Sequence, residues 1–231
     1  MKPKSSVRFR FHFRRHLPSC SLPRQADVNS TAARRRRQVG LWRKGFLRIN
    51  DAIGPTSRDS WRGGHLVAQV SAGALRHNIA LVRQQLAPGV KLCAVVKANA
   101  YGHGLDLLLP TIAPAADYLA VAAAAEALEL RWLGYKGKLL TIFTPSLCPE
   151  DEQADMLDEL TLAGVTLTVV TEAEARAVDA AAARTGTCAT VHVKIDTGMR
   201  RSGVELDQAQ TLVQALGRLP HIRLEGLYTH F

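Results

Sequence analysis

Several signals are missing from this 231-residue chain, and each absence removes a class of function. No apolar run reaches the ~18 residues that a membrane-crossing helix needs. The most apolar stretch, residues 118–130, is broken by Glu126 and Glu129. The N-terminus has no apolar core of the ~7–15 residues that mark a secretory signal. The four cysteines, Cys20, Cys93, Cys148 and Cys188, show no CxxC or other metal-ligand spacing, so they read as reduced thiols of a cytosolic protein with no metal site. No GxGxxG follows the first predicted strand, which leaves a dinucleotide-binding fold without support.

Acidic residues are scarce at the start. Residues 1–64 hold 16 Lys/Arg against 3 Asp/Glu, whereas residues 65–231 hold 14 against 17. The overall charge of +10 therefore belongs to a tail, and the remainder is mildly acidic. Within the tail stand an isolated alternation, Arg8 to Arg14, and the run Arg34 to Arg37. An arginine-rich, acid-poor segment is compatible with a transit peptide or with an arm that binds nucleic acid. Charge without apolar residues cannot offset the entropy cost of ordering. The adopted expectation is a disordered basic extension over 1–64, or upstream sequence translated from too early a start, ahead of a folded domain over 65–231.

From Leu66 the pattern changes. Residues 66–70 read as a short strand, and Ser71 as the cap of a helix whose stripe is Leu75, Ile79, Val82 and Leu86. Pro88-Gly89 stops it. A strand runs from Lys91 to Lys97, and five more are expected over 118–122, 139–144, 166–170, 190–195 and 224–229. Helical segments lie between them over 105–112, 123–133, 149–163, 172–184 and 206–216. Continuous apolar strands alternating with helices mean a parallel sheet covered by helices. That pattern alone allows an open doubly wound sheet or a closed barrel. Six strands are present where a barrel needs eight, so an incomplete α/β barrel in a truncated chain is expected.

Three stretches carry chemistry. The first is Ala94-Val95-Val96-Lys97-Ala98-Asn99-Ala100-Tyr101-Gly102-His103-Gly104. It reads as a buried strand that delivers a lysine to its C-terminal end, followed by a glycine-bearing loop whose backbone can approach an anion. A desolvated lysine can act as an amine nucleophile toward a carbonyl cofactor, and a tyrosine hydroxyl can bind a phosphate. The second is His192-Val193-Lys194-Ile195-Asp196-Thr197-Gly198-Met199-Arg200-Arg201-Ser202-Gly203, a strand, a turn and paired arginines, of which Arg201 can grip a carboxylate. The third is Leu224 to Phe231, ending in Tyr228-Thr229-His230-Phe231. Taken singly, each has an ordinary structural explanation: a snorkelling lysine, a solvated turn, a core histidine.

Together and in this order they resemble the alanine racemases. The match covers residues 66–231: AVVKANAYGHG for the lysine signature, the family's KxDTGMxRxG around Lys194 and Arg201, and its GLxTHF strand at His230. The resemblance implies a (β/α)8 TIM-type barrel carrying pyridoxal 5′-phosphate (PLP) and interconverting L- and D-alanine. It implies that Lys97 is the Schiff-base anchor and the base on the D side, and that Tyr101 is a phosphate ligand. Arg201 would meet the cofactor's phenolic oxygen and the substrate carboxylate. Lys194 would be carbamylated and hold that arginine. His230 would support an arginine expected beyond residue 231, and His103 is given no chemistry. The opposite base would be a tyrosine of a C-terminal β-domain from the partner of a homodimer. The family context also implies D-alanine for peptidoglycan in a bacterial cytoplasm, and a chain of this extent is expected to have little or no activity alone. Alternatives are a related fold-type III enzyme (a broad-specificity racemase or a decarboxylase), a non-catalytic PLP-binding barrel, and nucleic-acid binding through the tail.

Overall fold

A computed structural model describes residues 69–231, so the basic extension and Cys20 lie outside the described residues. Residues 66–68 of the first expected strand lie outside them too, and Gln69 and Val70 have no regular structure. Ser71 does cap the first helix, α1 (Ala72–Gln85), its Oγ accepting the Ala74 N–H at 3.1 Å. The chain then alternates as β1 (Cys93–Val95), α2 (Leu105–Ile112), β2 (Tyr118–Val121), α3 (Ala124–Trp132) and β3 (Lys138–Thr141). It continues with α4 (Glu150–Leu162), β4 (Leu167–Val169), α5 (Glu172–Thr185), β5 (Ala189–Asp196), β6 (Val204–Glu205), α6 (Ala209–Leu216) and β7 (Ile222–Thr229).

Every strand pair is parallel. β2 lies between β1 and β3, and β5 lies between β4 and β7. The two groups join where Thr141 N–H donates to the Thr166 carbonyl at 3.0 Å and Thr166 N–H to that of Leu139 at 2.8 Å. The row β1-β2-β3-β4-β5-β7 is that of a partial (β/α) barrel, with one helix between successive members. β6 is a two-residue addition against the end of β5 that the sequence pattern did not indicate.

The faces follow the two-residue period of a strand. Leu119, Val121, Leu139, Leu167, Val169, Val191 and Val193 are buried against Leu130, Val178, Ala181 and Leu216 of the helices. Burying a leucine or valine of this kind contributes about 1.5–3 kcal/mol. Tyr118, Ala120 and Leu140 face the other way and form a separate cluster with Ile142 inside the curved sheet. Helix α1 is the weakest member. Leu75 and Ile79 pack on the core, but Val82 is exposed, so the expected four-residue stripe is only half used. Helix α6 begins at Ala209 and not at Leu206, because Leu206 follows β6 directly and is itself exposed.

A polar layer sits within the sheet. The β5–β7 register passes from Val191↔Leu224 to His192↔Gly226, which makes Glu225 the extra residue of a β-bulge. Its carboxylate accepts hydrogen bonds from the Tyr118 hydroxyl and the Lys138 ammonium, and lies 3.5 Å from His192 Nε2. Burial alone would raise the Glu225 pKa. The bonds from Lys138 and Tyr118, with the charges of Lys138 and His192, outweigh it and bring it to about 2. A carboxylate depressed on folding contributes stability that is complete above its ordinary value of 4.5 and is lost as pH falls through about 2. The urea midpoint of the chain is therefore expected to fall between those limits. Glu225→Gln is expected to start lower at neutral pH and to lose less of its midpoint across the same window. Parallel titration curves for the two proteins would contradict this assignment.

Candidate active site at the C-terminal ends of the strands

Lys97 lies two residues past the end of β1. Val96 still donates to the Ala120 carbonyl at 2.8 Å, so the ladder holds the backbone up to the lysine. Val96 is buried among the helices, and by alternation Lys97 falls on the inner face. The chain then makes a left-handed turn of four non-glycine residues, Ala98, Asn99, Ala100 and Tyr101, with φ between 52° and 55°. Such a conformation costs roughly 1–2 kcal/mol per residue. Runs of this kind persist only where the surroundings over-determine them, and they concentrate at functional sites.

The determinants of the turn are visible. Asn99 Oδ1 accepts the Leu105 N–H at 2.6 Å, and His103 Nδ1 lies 2.8 Å from the Ala100 carbonyl oxygen. Gly102 N–H donates to Ala98 O at 2.9 Å, and Ala100 is buried. Gly102 itself has φ +81°, which closes the turn at no steric cost. Glu126 Oε1 accepts the Ala98 N–H at 2.6 Å. The turn leaves Tyr101 59% exposed, with the Lys97 ammonium 6.0 Å from its ring centroid.

The second group surrounds the end of β5. Asp196 Oδ1 accepts the N–H groups of Gly198 (2.9 Å) and Arg200 (3.0 Å), folding the DTGM segment back on itself. These bonds to Arg200 and Gly198 hold the Asp196 carboxyl below its usual range. Gly203, at φ +149°, returns so close that a Cβ would stand 2.4 Å from the Asp196 nitrogen. The Thr197 and Thr229 hydroxyls meet at 2.7 Å and tie the turn to the end of β7. Lys194, Asp196, Met199, Arg201, Ser202 and His230 line one narrow cleft. Lys194 is 4% exposed and forms no ion pair among the described residues. Burial first, and the Arg201 charge second, lower its pKa, against an opposing pull from Asp196.

Sequence reasoning named Lys97, Tyr101, Lys194, Arg201 and His230. The structure brings Lys194, Arg201 and His230 into one cleft, and Lys97 beside Tyr101. Lys97 and Tyr101 do not line that cleft, since β1 and β7 are the outer members of the row; both groups lie at the C-terminal end of the parallel sheet. Glu126 was missed as a site residue, because in the sequence it registered only as a charge interrupting an apolar run. Its position four residues after the end of the expected strand, at the third residue of a helix, was the available signal.

The donor set is an amine, a phenol, a guanidinium and an imidazole, with an open glycine-bearing turn. Amines condense with carbonyl groups, and the other donors suit phosphate and carboxylate. These residues therefore fit a phosphorylated carbonyl cofactor such as PLP. Among the described residues no cluster of His, Cys, Asp or Glu could hold a metal ion, and no helix is long and apolar enough to cross a membrane.

Comparison with known proteins agrees with this geometry. Residues 70–231 match the family model for the alanine racemase N-terminal domain. The chain is 35% identical over 165 residues to the alanine racemase of Desulfovibrio desulfuricans, an alignment covering 71% of this chain and 43% of that protein. The alanine racemase of Clostridium difficile 630, solved in complex with cycloserine, superposes with a TM-score of 0.62 at 34% identity, covering 68% of this chain and 42% of that one. The histidine racemase of Leuconostoc mesenteroides subsp. sake superposes with a TM-score of 0.60 at 26% identity, covering 69% and 41%. The chain thus spans less than half the length of these relatives. With the lysine strand, the DTGM turn and the terminal histidine strand placed as described, and with the family model matched over 70–231, the chain belongs to the alanine racemase family.

Proposed function

We propose that this chain is the cofactor-bearing part of a PLP-dependent alanine racemase. The observation that carries the reading is Lys97, an amine without a carboxylate partner among the described residues, raised on a strained turn at the same end of the sheet as Arg201. Lys97 would hold the cofactor covalently. The Tyr101 hydroxyl would bind its phosphate, Arg201 its phenolic oxygen, and His230 would stand behind it. The bound cofactor supplies an electron sink that acidifies the amino acid's Cα–H.

The protein's own part is proton movement and orientation. Arg201 grips the substrate carboxylate and so fixes which face of Cα meets Lys97. The Lys97 amine takes or returns the proton on the D face. Inversion needs a second base on the opposite face. The hydroxyls of Tyr118, Tyr135 and Tyr228 are engaged by Glu225, the Lys138 carbonyl and Thr168, and Tyr101 stands on the Lys97 side. We assign the opposing base to a tyrosine of a second subunit, in keeping with a homodimer. Lys194 is assigned as a carbamate. Its amine, whose pKa is lowered by burial and by the Arg201 charge, adds CO2 through nitrogen in its neutral form and releases a proton, and the resulting anion pairs with Arg201. D-alanine made this way would supply peptidoglycan in the cytoplasm.

The experiment is cofactor capture followed by hydrogen exchange. The full chain is incubated with PLP, reduced with borohydride and mapped by mass spectrometry, and the cofactor mass is expected on the peptide holding Lys97. Given D-alanine in D2O, the loaded chain is expected to place deuterium at Cα much faster than it forms L-alanine, because the described residues supply a base on the D face alone. Capture at another lysine, or none, removes the reading. The likeness to a histidine racemase favours a broader-specificity racemase as the second reading. Equal exchange of D-alanine, D-serine and D-histidine would support it over the first.

A further inference from the structure

We propose that Glu126 is the positioning residue for Lys97, an inference that rests on the assignment of Lys97 as the cofactor lysine. Glu126 is the third residue of α3, and its two carboxylate oxygens do different things. Oε2 accepts the N–H groups of Ala122 (2.7 Å) and Ala123 (3.2 Å), at the junction between β2 and α3. Oε1 reaches sideways to the neighbouring loop and accepts the Ala98 N–H at 2.6 Å. Ala98 is bonded to Lys97 and is the first of the four left-handed residues. One carboxylate therefore fastens the residue after the lysine to the end of the adjacent strand.

The second carboxylate of this kind shows what is special about the first. Glu174 is the third residue of α5, and its Oε2 accepts the N–H groups of Val170 (2.8 Å) and Thr171 (3.2 Å) at the junction between β4 and α5. Its other oxygen meets the Ser146 hydroxyl and not a backbone amide of a lysine-bearing loop. The two glutamates thus share the task of closing a strand-to-helix junction. Only Glu126 adds the bond to Ala98. That bond is charge-assisted and opposes the relaxation of Ala98 toward the right-handed conformation an alanine prefers. Without it, the first residue of the turn has lost its grip, and the Lys97 amine and Tyr101 ring move together.

The test compares Glu126→Gln, Glu174→Gln and the wild-type full chain. A glutamine keeps the shape but carries one oxygen where three N–H groups need two. Amide hydrogen exchange over residues 98–102, measured without cofactor, is expected to speed up at least tenfold in Glu126→Gln and to stay within twofold in Glu174→Gln. PLP affinity per folded molecule, read by borohydride capture at Lys97, is expected to fall at least tenfold only in Glu126→Gln. Adding Ala98→Gly removes the penalty for a left-handed residue and is expected to restore part of both losses. If the two single variants behave alike in both readouts, Glu126 is a helix cap and nothing more. If the wild-type chain captures no cofactor at Lys97, the racemase reading fails, while the exchange measurement still decides whether Glu126 holds the turn.

Discussion

Lys97→Ala is expected to abolish cofactor capture and α-hydrogen exchange together. The wild-type chain, treated with PLP and borohydride, should carry one cofactor mass on the peptide spanning the lysine turn; the variant should carry none there. The expectation follows from position. The ladder fixes the backbone to Val96, and the left-handed turn begins at Ala98, so Lys97 has fixed backbone on either side. No other lysine among the described residues has that setting. Lys194 is enclosed beside Arg201, and Lys138 is committed to Glu225. A nucleophile and proton carrier cannot be replaced by a methyl group, so exchange should drop by the full contribution of a positioned base, about 10²–10⁴-fold, or to background. Stability should change little, because a half-buried lysine without an ion pair among the described residues contributes mainly stem packing. A Lys97→Ala chain that still takes up cofactor at one site, with the label on Lys194, would move the covalent chemistry to the cleft at β5.

The extent to which this could be read in the sequence differs between fold and site. Strand and helix alternation gave helix α2 to the residue and five more to within a few residues, because continuous apolar runs and glycine stops are local signals. Gly186, at φ +64°, caps α5 just past the expected end at residue 184. β6 was not legible, since two residues carry no period; it exists because Asp196 folds the DTGM turn back and Gly203 can approach the Asp196 backbone. The exposure of Val82 was not legible either, because a stripe records which residues could be buried and not what is there to bury them. At the site, the lysine, the tyrosine and the arginine stood out by motif. The left-handed turn did not, since no residue of Ala98, Asn99 and Ala100 demands it alone; Asn99 and His103 hold it from within the loop and Glu126 from the next strand-to-helix junction. The bulge at Glu225 was equally hidden: a register shift belongs to two strands, and neither sequence states it alone.

Arg201→Ala is expected to lower the rate of D-alanine α-hydrogen exchange at limiting substrate by roughly 10²–10³-fold, as does removing one preorganised electrostatic donor elsewhere. Arg201→Lys should recover only part of that loss, because an ammonium supplies charge without the planar pair of donors that fixes a carboxylate. The same variants report on Lys194. Burial is the larger cause of its lowered pKa and the Arg201 charge the next. Removing that charge should therefore raise the Lys194 pKa, while a lysine in its place should leave it depressed. A raised pKa leaves less neutral amine at neutral pH, so the carbamate assigned to Lys194 should be less populated in Arg201→Ala, read by 13C NMR of the chain in 13C-labelled bicarbonate. The two measurements are coupled through one contact. Arg201 gains a fixed anion from Lys194, and the Arg201 charge adds to burial in lowering the Lys194 pKa. A variant that loses exchange yet leaves the Lys194 titration unmoved would place the arginine on the substrate alone, and Lys194 would then be a buried lysine whose depressed pKa comes from burial.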